Sequence, residues 1–213
     1  MDLILLGAPG AGKGTQGALL AETLGVPKIA TGDVLRAAVR EGTALGLEAK
    51  AFMDRGDLVP DAVILGIVGD ALAKPEFARG AILDGVVRTV PQAEGLDKAL
   101  RAAGREVTAV LGFDIENEEI VRRLSGRTVC GTCQTPFSDQ APGTRCTQPG
   151  CAGELVRRKD DEPEAIRNRL VVYEAQTAPV FDWYRRNGTR LAEIKAVGTV
   201  DEVTKRALLA LGA

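Results

Sequence analysis

The run Gly7-Ala8-Pro9-Gly10-Ala11-Gly12-Lys13-Gly14-Thr15-Gln16 brings together closely spaced glycines, a lysine and a hydroxyl. Glycine lets a backbone curl with its N–H groups facing inward, unhindered by Cβ atoms. Backed by the positive end of a helix, such a loop cradles an oligophosphate. Gly10, Ala11, Gly12 and Gly14 would supply the backbone donors, Lys13 the neutralising charge and Thr15 a hydroxyl near a magnesium ion. Gly14 stands where the general G-x-x-x-x-G-K pattern continues with Ser or Thr. The spacing carries meaning only between a strand and a helix. Leu3-Ile4-Leu5-Leu6 before it and Gly17 to Leu24 after it read that way, which disfavours an ordinary glycine-rich turn.

A second set is made of sulfur. Cys130-Gly131-Thr132-Cys133 and Cys146-Thr147-Gln148-Pro149-Gly150-Cys151 form a C-x2-C and a C-x4-C pair, twelve residues apart. Two close pairs on tight turns can converge tetrahedrally, as in a zinc knuckle of four thiolates. Free thiols or disulfides are the alternatives. Such closed sites are structural, and a metal there would replace the apolar core that so short and polar a segment cannot build. A third candidate is Asp84, which ends the apolar run Ala81-Ile82-Leu83. There it could hold magnesium through its water shell, or simply cap the next turn.

What is missing also narrows the chemistry. With no histidine in 213 residues, imidazole acid–base catalysis and Ser/His or Cys/His nucleophiles are excluded. The formal net charge of −2 gives no electrostatic hold on a nucleic acid. No apolar stretch approaches the roughly 18–20 residues that span a bilayer. Met1-Asp2 leads directly into a strand-like run, so a cytoplasmic protein is expected, and with it metal-binding rather than disulfide-bonded cysteines.

The elements that must position these groups alternate. Short apolar strands are expected at Leu3–Leu6, Lys28–Ala30, Ala81–Leu83, Thr108–Phe113 and Leu191–Lys195, with helices between them. Asp61 to Ala73 places Val63, Ile64, Ile67, Val68, Ala71 and Leu72 on one helical face, and Asp201 is expected to cap the last helix. This is an α/β pattern: a parallel sheet covered by helices, with ligands at the carboxyl ends of the strands. Two stretches interrupt it. Ala30 to Asp61 looks like short helices broken at Gly42, Gly46 and Gly56, while Gly126 to Asp161 is rich in Cys, Gly, Pro, Thr and Gln.

Further blocks follow the opening loop in order. They are Ala30-Thr31-Gly32-Asp33-Val34-Leu35-Arg36, Met53-Asp54-Arg55-Gly56-Asp57-Leu58-Val59-Pro60-Asp61, Ile82-Leu83-Asp84-Gly85 and Arg88-Thr89-Val90-Pro91-Gln92-Ala93. Arg123-Leu124-Ser125-Gly126-Arg127, Arg158-Lys159-Asp160-Asp161 and Arg167-Asn168-Arg169 complete the series. Together they make the chain resemble the adenylate kinase family, in its long-lid, cysteine-bearing bacterial form, over essentially its whole length. Gly14 is the usual residue of that family.

The resemblance implies a P-loop kinase core with a five-stranded parallel sheet, built from 1–29, 60–125 and 162–213. It also implies an AMP-binding subdomain at 30–59 and a zinc lid at 126–161. The implied reaction is reversible, magnesium-dependent phosphoryl transfer from ATP to AMP, which needs charge neutralisation and alignment more than a base. Lys13, Arg88, Arg123, Arg158 and Arg169 would be catalytic, with Arg123 and Arg127 on ATP. Thr31, Arg36, Met53, Leu58, Val59, Gly85, Arg88, Gln92, Arg158 and Arg169 would bind AMP, Gln92 reading the base edge beside an apolar slot near Leu35. Arginine suits phosphate because its planar fork keeps its charge. Asp33, Asp160 and Asp161 are weaker candidates than Asp84 for the magnesium role, with orienting arginines as their alternative. Cys130, Cys133, Cys146 and Cys151 would hold zinc, and a monomer is expected.

One departure stands out. Val86-Val87 replaces the Phe-Pro of the family's Asp-Gly-Phe-Pro-Arg block. The family proline is associated with a cis bond and Val-Val favours trans, so weaker AMP binding in an intact fold is expected. A kinase for UMP or CMP is a neighbouring possibility that Thr31 and Gln92 argue against. A zinc-ribbon module or nucleotide switch is a more distant one.

Overall fold

The computed structural model describes all 213 residues. Five parallel strands form the central sheet: β1 (Asp2–Gly7), β2 (Lys28–Ala30), β3 (Ala81–Asp84), β4 (Ala109–Asp114) and, near the end of the chain, β8 (Leu191–Lys195). Their order across the sheet is β2-β3-β1-β4-β8. Successive β1 residues alternate between two apolar layers. Ile4 and Leu6 belong to a cluster of 20 buried residues, Leu3 and Leu5 to one of 12. Both faces are therefore covered, as a parallel sheet requires.

The expected strands are all present, each to within one residue at either end. The helices that follow them are α1 (Lys13–Leu24), α2 (Thr31–Glu41), α3 (Ala44–Arg55), α4 (Asp61–Leu72), α5 (Val90–Ala102), α6 (Asn117–Gly126), α7 (Pro163–Val172), α8 (Ala178–Arg186) and α9 (Val200–Leu211). From β1 the chain winds to β2 and back to β3 on one side, then crosses past β1 to β4 and β8 on the other, so the direction of winding reverses at β1. A crevice opens at its carboxyl end, and the glycine-rich loop lies there.

Two local expectations are corrected, and one further feature was not foreseen. Gly46 does not break a helix but lies buried in the first turn of α3, where a Cβ would stand 2.1 Å from the Ala38 carbonyl oxygen. It is a close-packing glycine that brings α3 against the end of α2. The last helix is capped by Thr199, not Asp201. Thr199 Oγ1 accepts the Glu202 N–H at 3.3 Å while the Glu202 carboxylate accepts the Thr199 N–H at 2.8 Å. That reciprocal pair satisfies two orphan donors where Asp201 would satisfy one. The cysteine-bearing segment, finally, carries a small antiparallel sheet of its own. Its strands β5 (Arg127–Cys130), β6 (Pro136–Ser138) and β7 (Leu155–Val156) are ordered β6-β5-β7. Strands of two to four residues are too short to leave a readable period.

Candidate functional site

The crevice begins at the start of α1. Gly10 and Gly12 hold φ of +83° and +94°, which places the loop in the left-handed region and turns its N–H groups inward. Gly12 caps α1 without a side-chain hydrogen bond, and no acidic residue occupies the first turn. The orphan N–H groups and the positive helix end are thus left free for an anion. Lys13 reaches back over the loop, its ammonium donating to the carbonyl oxygens of Gly7 at 2.7 Å and Ala8 at 2.9 Å. An ammonium has three protons, so one remains. Thr15 is exposed at the same end of the helix. Asp84 ends β3 beside the loop, with Oδ2 3.5 Å from where a Gly14 Cβ would stand.

Around Lys13 the structure gathers positive charge from distant parts of the chain. Burial lowers the Lys13 ammonium to about 8; Asp84 opposes the shift, while Arg88, Arg169 and Arg127 reinforce it. Burial, with repulsion from Arg169 and Arg36, brings Arg88 down to about 10 against the attraction of Asp84 and Asp160. Arg158 is likewise lowered to about 10 by burial and by Arg36 and Arg127, and its Nε is buried without a partner. Arg169 is lowered chiefly by burial. Lys13, Arg36, Arg88, Arg127, Arg158 and Arg169 therefore form a single cluster of cations.

Four carboxylates face this cluster. Asp161 is buried and grips Arg127 in a two-pronged pair at 2.6 and 2.7 Å. Arg169 donates to Asp160 and Asp161, both at 3.1 Å, and Asp33 pairs with Arg36 at 2.6 Å. Burial pushes the carboxyls of Asp33 and Asp160 up, but the arginines overcome it and hold both below the ordinary value. Asp33, Asp160 and Asp161 thus orient arginines, the second of the two roles their positions allowed. With Asp84 they number four against six cations, so the crevice keeps a positive excess.

Arg123 lies over the loop, its Nη1 3.9 Å from where a Gly12 Cβ would stand. It is steered by Glu119 at 2.8 Å and by the carbonyl of Ala196, just past β8, at 2.9 Å. Arg122 and Arg123 hold the Glu119 carboxyl down to about 2.

On the other side of the crevice, Thr31 Oγ1 donates to the Gly85 carbonyl at 2.7 Å, fastening the start of α2 to the end of β3. Arg88 projects from the following turn, its backbone held at both ends. Its N–H donates to Gln92 Oε1 at 2.7 Å, and its carbonyl accepts from Thr177 Oγ1 at 2.8 Å. Val86 and Val87 are buried in the larger core cluster, and the chain contains no cis peptide bond. Leu35 and Val59 line the same cluster, with Met53 packed against it and Leu58 half-buried nearby. Asp61, Thr177 and Glu119 were not singled out from the sequence for these bracing roles. Asp61 accepts from Gln92 Nε2 and Thr177 donates to the Arg88 carbonyl, partners 31 and 89 residues away that no local pattern marks. Glu119, by contrast, stands four residues before Arg123 on α6, a helical spacing that could have found it.

The four cysteines converge. Their sulfur atoms all lie within 4.8 Å of one another, with Cys130 3.5 Å from Cys151 and Cys133 3.7 Å from Cys146. A disulfide would require about 2.05 Å, whereas a tetrahedron of thiolates around an ion at about 2.3 Å has edges of about 3.8 Å. N–H groups of Thr132 and Cys133 point at Cys130 Sγ, and that of Gln148 at Cys146 Sγ, all at 3.4 Å. Donors aimed at sulfur favour thiolates. This donor set fits a metal ion.

No helix is long and apolar enough to cross a membrane. The family model described as Adenylate kinase matches residues 5–189. A protein of Gemmatimonas aurantiaca named Adenylate kinase is 64% identical over 211 residues, covering 99% of each chain. Proteins of the same name are 47% identical from Methanothrix thermoacetophila (95% of this chain, 94% of the relative) and 46% identical from Geobacter sp. strain M21 (100% of both).

Proposed function

Because the chain belongs to the adenylate kinase family, its reaction is phosphoryl transfer between ATP and AMP to give two ADP, and we propose the residues that carry it. The supporting observation is the cluster of six cations, Lys13 among them, gathered at an uncapped helix start and outnumbering its carboxylates. An oligophosphate supplies the missing negative charge, and the lowered values of Lys13, Arg88 and Arg158 are the mark of cations lacking it.

The N–H groups of Gly10 to Thr15 hold the ATP phosphates, with the third proton of Lys13 on the transferring group. Arg123 and Arg127 close on ATP from the lid side. Arg36 and Arg88 hold the AMP phosphate, while Arg158 and Arg169 bridge donor and acceptor and neutralise the charge that spreads over the transferring oxygens. Thr31, fastened to Gly85, contributes with Gln92 to AMP specificity, Gln92 reading the base edge beside an apolar slot of Met53, Leu58 and Val59. Alignment and exclusion of water do the rest.

Asp84, at the end of β3 beside Gly14, fits a magnesium ion held through water; bound with ATP, magnesium supplies charge neutralisation on the phosphates. The four-cysteine site takes zinc as a closed structural ion. We assign 1–29, 60–125 and 162–213 to the core, 30–59 to AMP binding and 126–161 to the lid, in a cytoplasmic monomer. Lys13→Met tests the assignment: kcat in an ADP-forming coupled assay should fall by about 10²–10³-fold or more while the thermal midpoint is kept. Full activity in that variant would refute it.

A further inference from the structure

Asp61 opens α4, and its Oδ1 accepts hydrogen bonds from Gln92 Nε2 at 2.7 Å and Thr89 Oγ1 at 3.1 Å. The opposite end of the Gln92 amide accepts the Arg88 N–H at 2.7 Å. These two partners fix which way the amide faces. A carboxylate has no proton to give, so the end facing it is the NH2; a backbone N–H can only donate, so the end facing it is the oxygen. Thr89 tightens the arrangement, because its Oγ1 also accepts the Gln92 N–H at 3.2 Å as the cap of α5. Gln92 is 1% exposed, so its amide is a held group and not a free rotor in water.

We propose that Asp61 is a positioning residue for acceptor specificity: by locking the orientation of the Gln92 amide it makes the site select a 6-amino over a 6-oxo purine monophosphate. This deepens the reading of Gln92 as the base reader and rests on it. A primary amide has two N–H donors and two lone pairs. One of each is taken by Asp61 and Arg88, leaving one N–H on the Asp61 side and one lone pair on the Arg88 side. Adenine presents an acceptor at N1 and a donor at its 6-amino group, which match that pair. Hypoxanthine presents N1–H and a 6-oxo oxygen, the reverse order, which only a rotated amide would match. Rotation would set Oε1 against the Asp61 carboxylate and Nε2 against the Arg88 N–H. Both contacts would be repulsive, so the preference is built into the protein before the base arrives.

A purely mechanical role for Asp61 would give a different signature. In the first turn of α4 it also favours the helix dipole and ties α4 to α5. Kinetics with AMP and with inosine monophosphate, alongside thermal midpoints, separate the two roles in Asp61→Ala, Asp61→Asn and Gln92→Ala. Asp61→Ala should raise KM for AMP about tenfold, leave kcat at saturating AMP close to its starting value, and cut the AMP-over-inosine-monophosphate ratio of kcat/KM by a similar factor. Asp61→Asn keeps an acceptor oxygen and should recover part of that ratio. A lowered midpoint with an unchanged ratio in both Asp61 variants would overturn the proposal. If Gln92→Ala collapses the ratio while Asp61→Ala preserves it, only the role of Asp61 fails. If Gln92→Ala itself leaves the ratio unchanged, the base-reading assignment fails and this inference falls with it.

Discussion

The phosphate-binding floor and the cysteine-bearing flap reach a defined shape by different physics. Beneath the glycine-rich loop lie two apolar clusters of 20 and 12 buried residues, one on each face of a parallel sheet. The flap has a cluster of three, and two of those are Cys130 and Cys146, beside Leu155. At about 25 cal/mol per Å² of apolar burial, so few side chains cannot offset the entropy of ordering the segment. Four converging sulfurs take over that work. The lesson is a division of labour, in which the glycine-rich loop stands on a packed floor while Arg127 and Arg158 are carried by a segment whose four converging sulfurs form a donor set that fits a metal ion.

Metal removal is the sharpest way to break the comparison. Chelation should unfold the flap, displace Arg127 and Arg158 and lower kcat about a hundredfold. Calorimetry should show the main core transition in place. A single transition shifted as a whole would mean that floor and flap are one cooperative unit.

Gly46→Ala probes packing on the other insertion, where no metal helps. Its new methyl would meet the Ala38 carbonyl, whose oxygen lies 2.1 Å from the Cβ position. A loss of about 2–3 kcal/mol in denaturant unfolding is expected, with the metal content of the cysteine site unchanged.

The smallest effect sharpens the electrostatic side. Lys13 sits at about 8 in the free protein. For a base with a depressed value, the unfolded chain binds more protons between the two pKa values. The cost of burying the charge is therefore present below pH 8 and relieved as pH rises through it, so Lys13 contributes increasing stability there. A bound oligophosphate raises the value again, so binding near pH 8.5 should take up a fraction of one proton, about 0.5–0.8. Titration calorimetry in buffers of different ionisation enthalpy measures it, and Lys13→Met should abolish it.

The sequence disclosed the floor more fully than the flap. Runs such as Leu3 to Leu6 and Ala81 to Leu83 are short, apolar and separated by helical patterns, and buried parallel strands leave just that trace. The glycine-rich loop and the paired cysteines declared themselves through spacing. The strands of the flap did not, since elements as short as Leu155–Val156 carry no period. Gly46 misled because a glycine forced by a neighbouring backbone looks, in sequence, like a glycine that ends a helix. Asp201 misled because Thr199 makes the better cap through its exchange with Glu202. Asp61 and Thr177 stayed silent because their partners are brought to them only by the tertiary fold.

The account turns on one place where the oligophosphate must lie. A crystal structure with a dinucleotide inhibitor, two adenosines joined end to end through a phosphate chain, tests it most directly. The account predicts that chain within hydrogen-bonding distance of Lys13 Nζ and the N–H groups of Gly10 to Thr15, one adenine beside Gln92. A phosphate chain bound elsewhere, with the glycine-rich loop and Lys13 untouched, would contradict it.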